Sequence, residues 1–250
     1  MNKHLKNLNR IEFVVTNACT GRCKHCSEGD HVNSGEHIDK DVAAQAVRKV
    51  AAQYDIQSLM TFGGEPLLYP DTVCEIHAVA KEMHIPKRQL ITNGYFSRDS
   101  EKIQSVASQI AESGVNDILL SVDAFHQETI PLEFVKWFAA AIQRAGVRLR
   151  THPAWLVSCD ADNAYNTITK EILKTFESMG IEANDGNVIF PSGNALKYLK
   201  EYFDLSAETR SPYWEDPEDI RSLCFSANGD VLNGNIYKQD ICDILSSYSI

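Results

Sequence analysis

The sequence predicts an α/β fold: a parallel sheet with helices outside, closed only partly as a barrel. Three observations predict it. Apolar, β-branched runs alternate with segments of helical period, successive runs are spaced far enough apart to hold a crossover helix, and six such runs fall short of the eight that close a barrel. The 250 residues suit one large domain, or one domain with a small appendage. A hydrophobic share of 44% against 23% charged residues excludes disordered, collagen-like and coiled-coil chains.

The elements follow in order. A buried strand is expected over 11–16 (IEFVVT), then a cysteine-bearing loop and a helix over 41–54 with Val42, Ala46, Val50 and Ala51 as its apolar positions. A strand over 58–62 leads to a helix over 71–83, and a strand over 89–92 to a helix over 100–113 that Gly114 stops. The fourth strand is expected over 117–122. Pro131 suits a first helical turn, and the segment to Ala145 buries Phe134, Phe138 and Ile142 before Gly146 ends it. A strand over 147–151, a helix over 165–179 and a strand over 187–190 complete the series. After Pro191 the pattern changes to one helix over 195–203, a polar stretch over 210–217, and a hairpin-like segment in which Asn-Gly separates candidate strands. The expected organisation is a barrel domain over 8–191 and a C-terminal appendage over 192–250.

Charge and cysteine usage narrow the chemistry. With 24 Lys+Arg against 34 Asp+Glu the net charge is −10 and no basic patch stands out, which argues against a nucleic-acid partner. No run approaches the ~20 apolar residues of a membrane span, and the first ten residues contain no apolar signal segment. A cytoplasmic, membrane-independent protein is expected, and in a reducing compartment clustered cysteines hold metal or do redox chemistry more often than they pair. The seven cysteines are uneven: Cys19, Cys23 and Cys26 crowd the loop after the first strand, while Cys74, Cys159, Cys224 and Cys242 are scattered.

Two readings of the crowded loop compete. A zinc site wants four closed ligands, with His25 or His31 available as the fourth. Three thiolates on a cubane Fe–S cluster instead leave one iron without a protein ligand, where a cofactor can chelate. Cys19-Thr-Gly-Arg-Cys23-Lys-His-Cys26 after a first strand, with Gly63-Gly64-Glu65-Pro66 after the second, resembles the radical S-adenosylmethionine superfamily, whose signature is Cys-x-x-x-Cys-x-x-Cys on a partial (β/α)6 barrel. The resemblance covers about Ile11 to Pro191.

It implies a 4Fe–4S cluster on Cys19, Cys23 and Cys26, with S-adenosyl-L-methionine as cofactor and Gly63, Gly64, Glu65 and Pro66 near its methionine amino group. Glycines there would let backbone approach a ligand, and a carboxylate complements an ammonium. Thr92, Asn93, Ser121 and Asp123, at the next two strand ends, become candidates for its ribose or carboxylate; each type is also an ordinary turn former or cap. His25, before the third cysteine, stands where the family often packs an aromatic near the adenine, and Arg150 is a candidate partner of the cofactor carboxylate. His126, His152 and Trp155 are open to both site and packing roles. Arg22 and Lys24 flank the cysteines, where cations would raise a cluster's potential.

By the same resemblance, the cluster splits S-adenosylmethionine reductively to a 5′-deoxyadenosyl radical, which abstracts a hydrogen atom from a peptide or small-molecule substrate. An external one-electron donor such as flavodoxin or ferredoxin is implied. No catalytic residue is singled out. Cys224 and the Asn-Gly-Asp run resemble a shortened SPASM or twitch hairpin, with Asn233 near the place of that domain's next cysteine and no second cluster expected. Activation of a glycyl-radical enzyme is an alternative. A non-catalytic Fe–S or zinc protein is another, and Gly63–Pro66 discriminates against it because a purely structural metal site needs no such strand end.

Overall fold

The computed structural model describes residues 2–31, 35–206 and 214–250. Part of the polar stretch expected over 210–217 lies outside them. Strand β1 (Arg10–Val14) opens the chain's sheet, and helix α1 (Lys40–Ala51) returns from it, its first turn held by the Asp39 carboxylate accepting from the amides of Asp41 and Val42. The series continues through β2 (Ser58–Phe62), α2 (Pro70–Glu82), β3 (Lys87–Thr92) and α3 (Ser100–Ser113). Gly114 ends α3 in the left-handed region at φ 92°, the role its position predicted. Next come β4 (Asp117–Leu120), a single turn α4 (Ala124–Gln127), α5 (Leu132–Arg144) and β5 (Leu149–Thr151). Pro131 sits just outside α5 as its cap rather than inside its first turn.

Strands β1 to β5 pair in parallel, as the alternation required, and the sheet order is β5-β4-β3-β2-β1-β8. Its sixth strand is not the one expected over 187–190. There, β7 (Asn187–Val188) makes only a two-residue parallel pair with β6 (Ala154–Trp155), flanking α6 (Ala164–Glu177). Helix α7 (Gly193–Tyr198) follows, and the sixth place goes to β8 (Ser222–Phe225), which runs parallel to β1 with Phe13 opposite Phe225. The two rings stack at 4.6 Å and 14° and are fully buried. Beyond β8, β9 (Asp230–Val231) and β10 (Gly234–Asn235) form a small antiparallel hairpin, and α8 (Ile241–Ser247) packs on α1. Residues 220–248 thus share one apolar core with β1, β2, α1 and α2.

The second core lies under α3, α5 and α6, where the expected inward residues Phe138 and Ile142 are fully buried; Phe134 is only partly so, stacked on Tyr95 at the surface. Cys74 packs against this core from α2, as its apolar helical setting suggested. With β5 and β8 at its edges, the sheet over the described residues is an open, partial barrel. All six strands point the same way, so the loops leaving β1 to β5 converge at one end.

Candidate functional site

The cysteine loop hangs from the end of β1 and is fastened to the end of β2. Gly64 N–H donates to Thr16 O at 2.7 Å, and Glu65 N–H donates to Ala18 O at 2.8 Å. The close approach explains both glycines. A Cβ on Gly63, whose φ is 138°, would lie 2.5 Å from Thr16 O, and one on Gly64 would lie 2.1 Å from Ala18 O. The stem of the cysteine loop takes this space.

Glu65 is fully buried, and its carboxylate is already engaged. Leu67 N–H (2.9 Å) and the Thr92 hydroxyl (2.7 Å) donate to Oε1, and Asn93 N–H donates to Oε2 (2.9 Å). Burial pushes its pKa up to about 7 against the opposing pull of these donors. The carboxylate therefore ties the ends of β2 and β3 together. Asn93 extends the brace to the cysteines, its amide donating to Thr20 Oγ1 (3.2 Å) and lying 3.6 Å from Cys19 Sγ.

Cys19 and Cys23 are buried and Cys26 half-buried, all free thiols. Burial raises all three pKa values, that of Cys19 to about 11, with Glu65 adding to it and the Gly21 amide, at 3.3 Å from Cys19 Sγ, opposing. Cys26 further raises the pKa of Cys19 and of Cys23, and Cys19 that of Cys23, so the thiols lie within electrostatic reach of one another. Burial thus disfavours the free thiolates, so a bound metal would have to displace these protons; three thiols would leave one iron of a cubane cluster without a protein ligand. Arg22 stays at the loop, its guanidinium donating to the carbonyls of Cys19 and Gly21 at 2.7 Å, whereas Lys24 pairs with Glu128 at 2.9 Å.

Asp123 is the hub of the far wall. Its Oδ1 accepts from Phe125 and His126 N–H and caps α4; its Oδ2 meets His126 Nδ1 at 2.8 Å and accepts from Ala154 N–H at 3.0 Å. Burial alone would raise its pKa, but the His126 imidazole and these donors overcome it and hold the carboxyl well below the usual range. Next to it, Cys23 Sγ and the imidazoles of His25 and His126 bring three potential ligand atoms within 4.8 Å of one another. The His25 ring lies 5.1 Å from Phe125 and 4.8 Å from His126; its Nδ1 is buried without a hydrogen-bond partner among the described residues, and burial lowers its pKa to about 4.

Cys19, Cys23, Cys26, His25, Gly63 to Pro66, Thr92, Asn93, Ser121 and Asp123 are thus gathered at the strands' C-terminal ends. Arg150 is not among them. Its guanidinium makes a bidentate pair with Asp117, Nη2 at 2.7 Å from Oδ2 and Nε at 3.2 Å from Oδ1, and Gln89 joins the same carboxylate at 2.7 Å. Asp117 begins β4, so the pair draws Arg150 toward the opposite end of the sheet. His152 meets Asn184 at 2.9 Å, and Trp155 donates to Asp185 O.

Sequence reasoning missed a second brace. Asn194, buried at the start of α7, donates its backbone N–H to Cys26 O (2.9 Å) and its amide to Cys23 O and Gly29 O (3.2 Å each). Gly193 permits it, since a Cβ there would lie 2.3 Å from Ser27 O. The only signal in the sequence is Ser-Gly-Asn ahead of a helix, which reads as a plain cap. Outside the loop, a depression of about 570 Å³ reaches Cys19 and Thr20 between Arg22, Leu68 and Tyr95. Another of about 580 Å³, lined by Lys6, Asn9 and Arg221, lies near the starts of β1 and β8, away from these groups.

A family model described as the Radical SAM superfamily matches residues 13–152. Among relatives, a probable GTP 3′,8-cyclase of Methanocaldococcus jannaschii is 24% identical over 123 residues, which is 49% of this chain and 39% of that protein. A GTP 3′,8-cyclase of Syntrophomonas wolfei is 28% identical over 131 residues, 51% of this chain and 38% of that one. The chain thus spans about two fifths of the length of the relatives it matches. A solved structure of native anSMEcpe with bound AdoMet superposes with a TM-score of 0.59 over 93% of this chain and 76% of that one, at 15% identity, a likeness of fold.

Proposed function

This chain belongs to the radical SAM superfamily, and from that premise we propose that Cys19, Cys23 and Cys26 hold a 4Fe–4S cluster that cleaves S-adenosylmethionine and delivers a hydrogen-abstracting radical to a peptide or small-metabolite substrate. Enzymes of the family use that cluster and that cofactor. The observation that carries the reading is the fastening of a three-thiol loop to Gly63-Gly64-Glu65-Pro66. The group supplies reductive cleavage of the sulfonium when bound; the chain supplies place and enclosure.

The residues divide that work. Gly63 and Gly64 hold the stem of the loop against β2, and Glu65 with Thr92 and Asn93 locks β2 to β3, so the thiols are presented on a rigid edge. Ser121 and the backbone of Gly63 and Gly64 are the groups proposed to face the cofactor; Asp123, fully engaged, positions His126 and the wall beside it. The His25 ring, packed on Phe125, is proposed to lie along the adenine. The depression outside Cys19 supports entry of an electron from an external one-electron carrier such as flavodoxin or ferredoxin. The hairpin β9–β10 supports a peptide or metabolite substrate over a glycyl-radical partner. No described helix is long and apolar enough to cross a membrane, and a cytoplasmic setting is proposed on the free thiols.

The test is anaerobic reconstitution with iron and sulfide, reduction, and addition of S-adenosylmethionine. Formation of 5′-deoxyadenosine is expected, with about four iron per chain, and Cys23→Ala should abolish both. A fully iron-loaded chain that forms no 5′-deoxyadenosine would overturn the reading.

A further inference from the structure

The three-thiol reading gives no ligand role to the two imidazoles and one carboxylate beside Cys23. Cys19 Sγ is met by the amides of Gly21 and Asn93, and Cys26 Sγ by His31 Nε2 at 3.2 Å. Cys23 Sγ faces His25 and His126 instead, with all three ligand atoms within 4.8 Å. One thiolate and two imidazoles are donors that zinc prefers, at ~2.3 Å for sulfur and ~2.0–2.1 Å for nitrogen, which sets ligand atoms roughly 3–4 Å apart around a tetrahedral ion. Small rotations of side chains would reach that spacing.

Two further observations point to an ion. His126 Nδ1 is held by the buried Asp123 carboxylate at 2.8 Å. That is the arrangement that orients a metal-binding imidazole, fixing the proton on Nδ1 and turning Nε2 outward as a ligand. His25 Nδ1 is buried and unpartnered among the described residues, which costs free energy that a ligand would recover. Charge also balances, because the two positive charges of a zinc ion would meet the Cys23 thiolate and the Asp123 carboxylate. A fourth position stays open to water.

We propose that the cluster-free chain binds a single zinc ion on Cys23, His25 and His126, and that zinc and the 4Fe–4S cluster compete for Cys23. The zinc site stands on its own three ligands; only the competition rests on the cluster site proposed above. Zinc occupancy would hold the chain in a form that cannot assemble the cluster until the ion is removed.

Cobalt(II) is the probe. The aerobically purified, chelator-treated and thiol-reduced chain is titrated with cobalt chloride and followed by absorption. One cobalt per chain is expected, with tetrahedral d–d bands and sulfur-to-metal charge transfer of the intensity of one thiolate, all displaced by zinc. His126→Ala should weaken binding at least tenfold, and Asp123→Asn about 10–100-fold. Cys26→Ala should bind as the parent does. His126→Gln keeps a donor toward Asp123 but lacks the Nε2 ligand, and serves if the alanine variant does not fold. Zinc-loaded chain should resist reconstitution with iron and sulfide until a chelator is added.

Cobalt that survives His126→Ala but is lost in Cys26→Ala would overturn the proposal in favour of a thiol-built site, as would charge transfer of three thiolates or no binding. Equal cluster assembly with and without bound zinc would overturn the competition. Failure of the radical chemistry reads out separately, as a zinc-free, iron-loaded chain that makes no 5′-deoxyadenosine.

Discussion

Phe225→Ala is the sharpest test of whether residues beyond 191 belong to the body that carries the cysteine loop. Phe225 is fully buried and stacks on Phe13 at 4.6 Å, in a core shared with Ile11, Val47 and Leu223. Truncating a fully buried phenylalanine removes its transfer free energy and leaves a cavity, about 3–5 kcal/mol together, a figure that already includes the ~0.5–1.5 kcal/mol of an aromatic pair. At ~2–4 °C per kcal/mol for a domain of this size, the melting temperature should fall by roughly 6–20 °C. Urea and thermal unfolding followed by circular dichroism measure it, with the prediction of one transition that moves as a whole. A loss below about 1 kcal/mol, or two transitions of which only the smaller moves, would refute the reasoning and make the C-terminal segment a separate unit.

Other outcomes follow from the same contacts. Gly64→Ala puts a Cβ 2.1 Å from Ala18 O, so iron content after reconstitution should drop severalfold, whereas Cys74→Ala should load iron as the parent does. Asn194→Ala strips donors from Cys23 O and Gly29 O, and should destabilise the chain by about 1–3 kcal/mol with faster loss of iron to chelators. Buried His77, on Thr61 Oγ1 at 2.9 Å, has its pKa lowered by burial from 6.5 to about 3. A depressed histidine favours the fold above its unfolded pKa and ceases to as pH falls toward the folded one. About 2 kcal/mol should therefore be lost between pH 7.5 and pH 5, and the pH slope of urea midpoints should flatten in His77→Leu.

Much of the site was legible because its signals are local. Cys19, Cys23 and Cys26 lie within eight residues, Gly63-Gly64-Glu65-Pro66 is contiguous, and the alternation that ordered β1 to β5 repeats along the chain. What stayed hidden depends on register between distant segments. β8 is four residues long, and nothing near it says that Ser222 pairs with Arg10. Arg150 is a candidate by its place on the fifth strand, yet it lies opposite Leu119, and the buried carboxylate of Asp117, two residues before Leu119 on the neighbouring strand, holds it away from the site. The second demand on Gly63-Gly64 was hidden for a similar reason, since their close neighbour is the backbone of a loop more than forty residues earlier.

The pairing of β8 with β1 also sets an order of events during synthesis. β1 leaves the ribosome about two hundred residues before its outer neighbour exists. Until then its outer row of amides and carbonyls is unpaired, an open template for unwanted strands, and Phe13 lacks the ring that covers it. The loop with three thiols hangs from that half-supported strand. On this order metal loading is expected late, after residue 225 has been translated, and a chain stalled before that point should aggregate before it can be loaded.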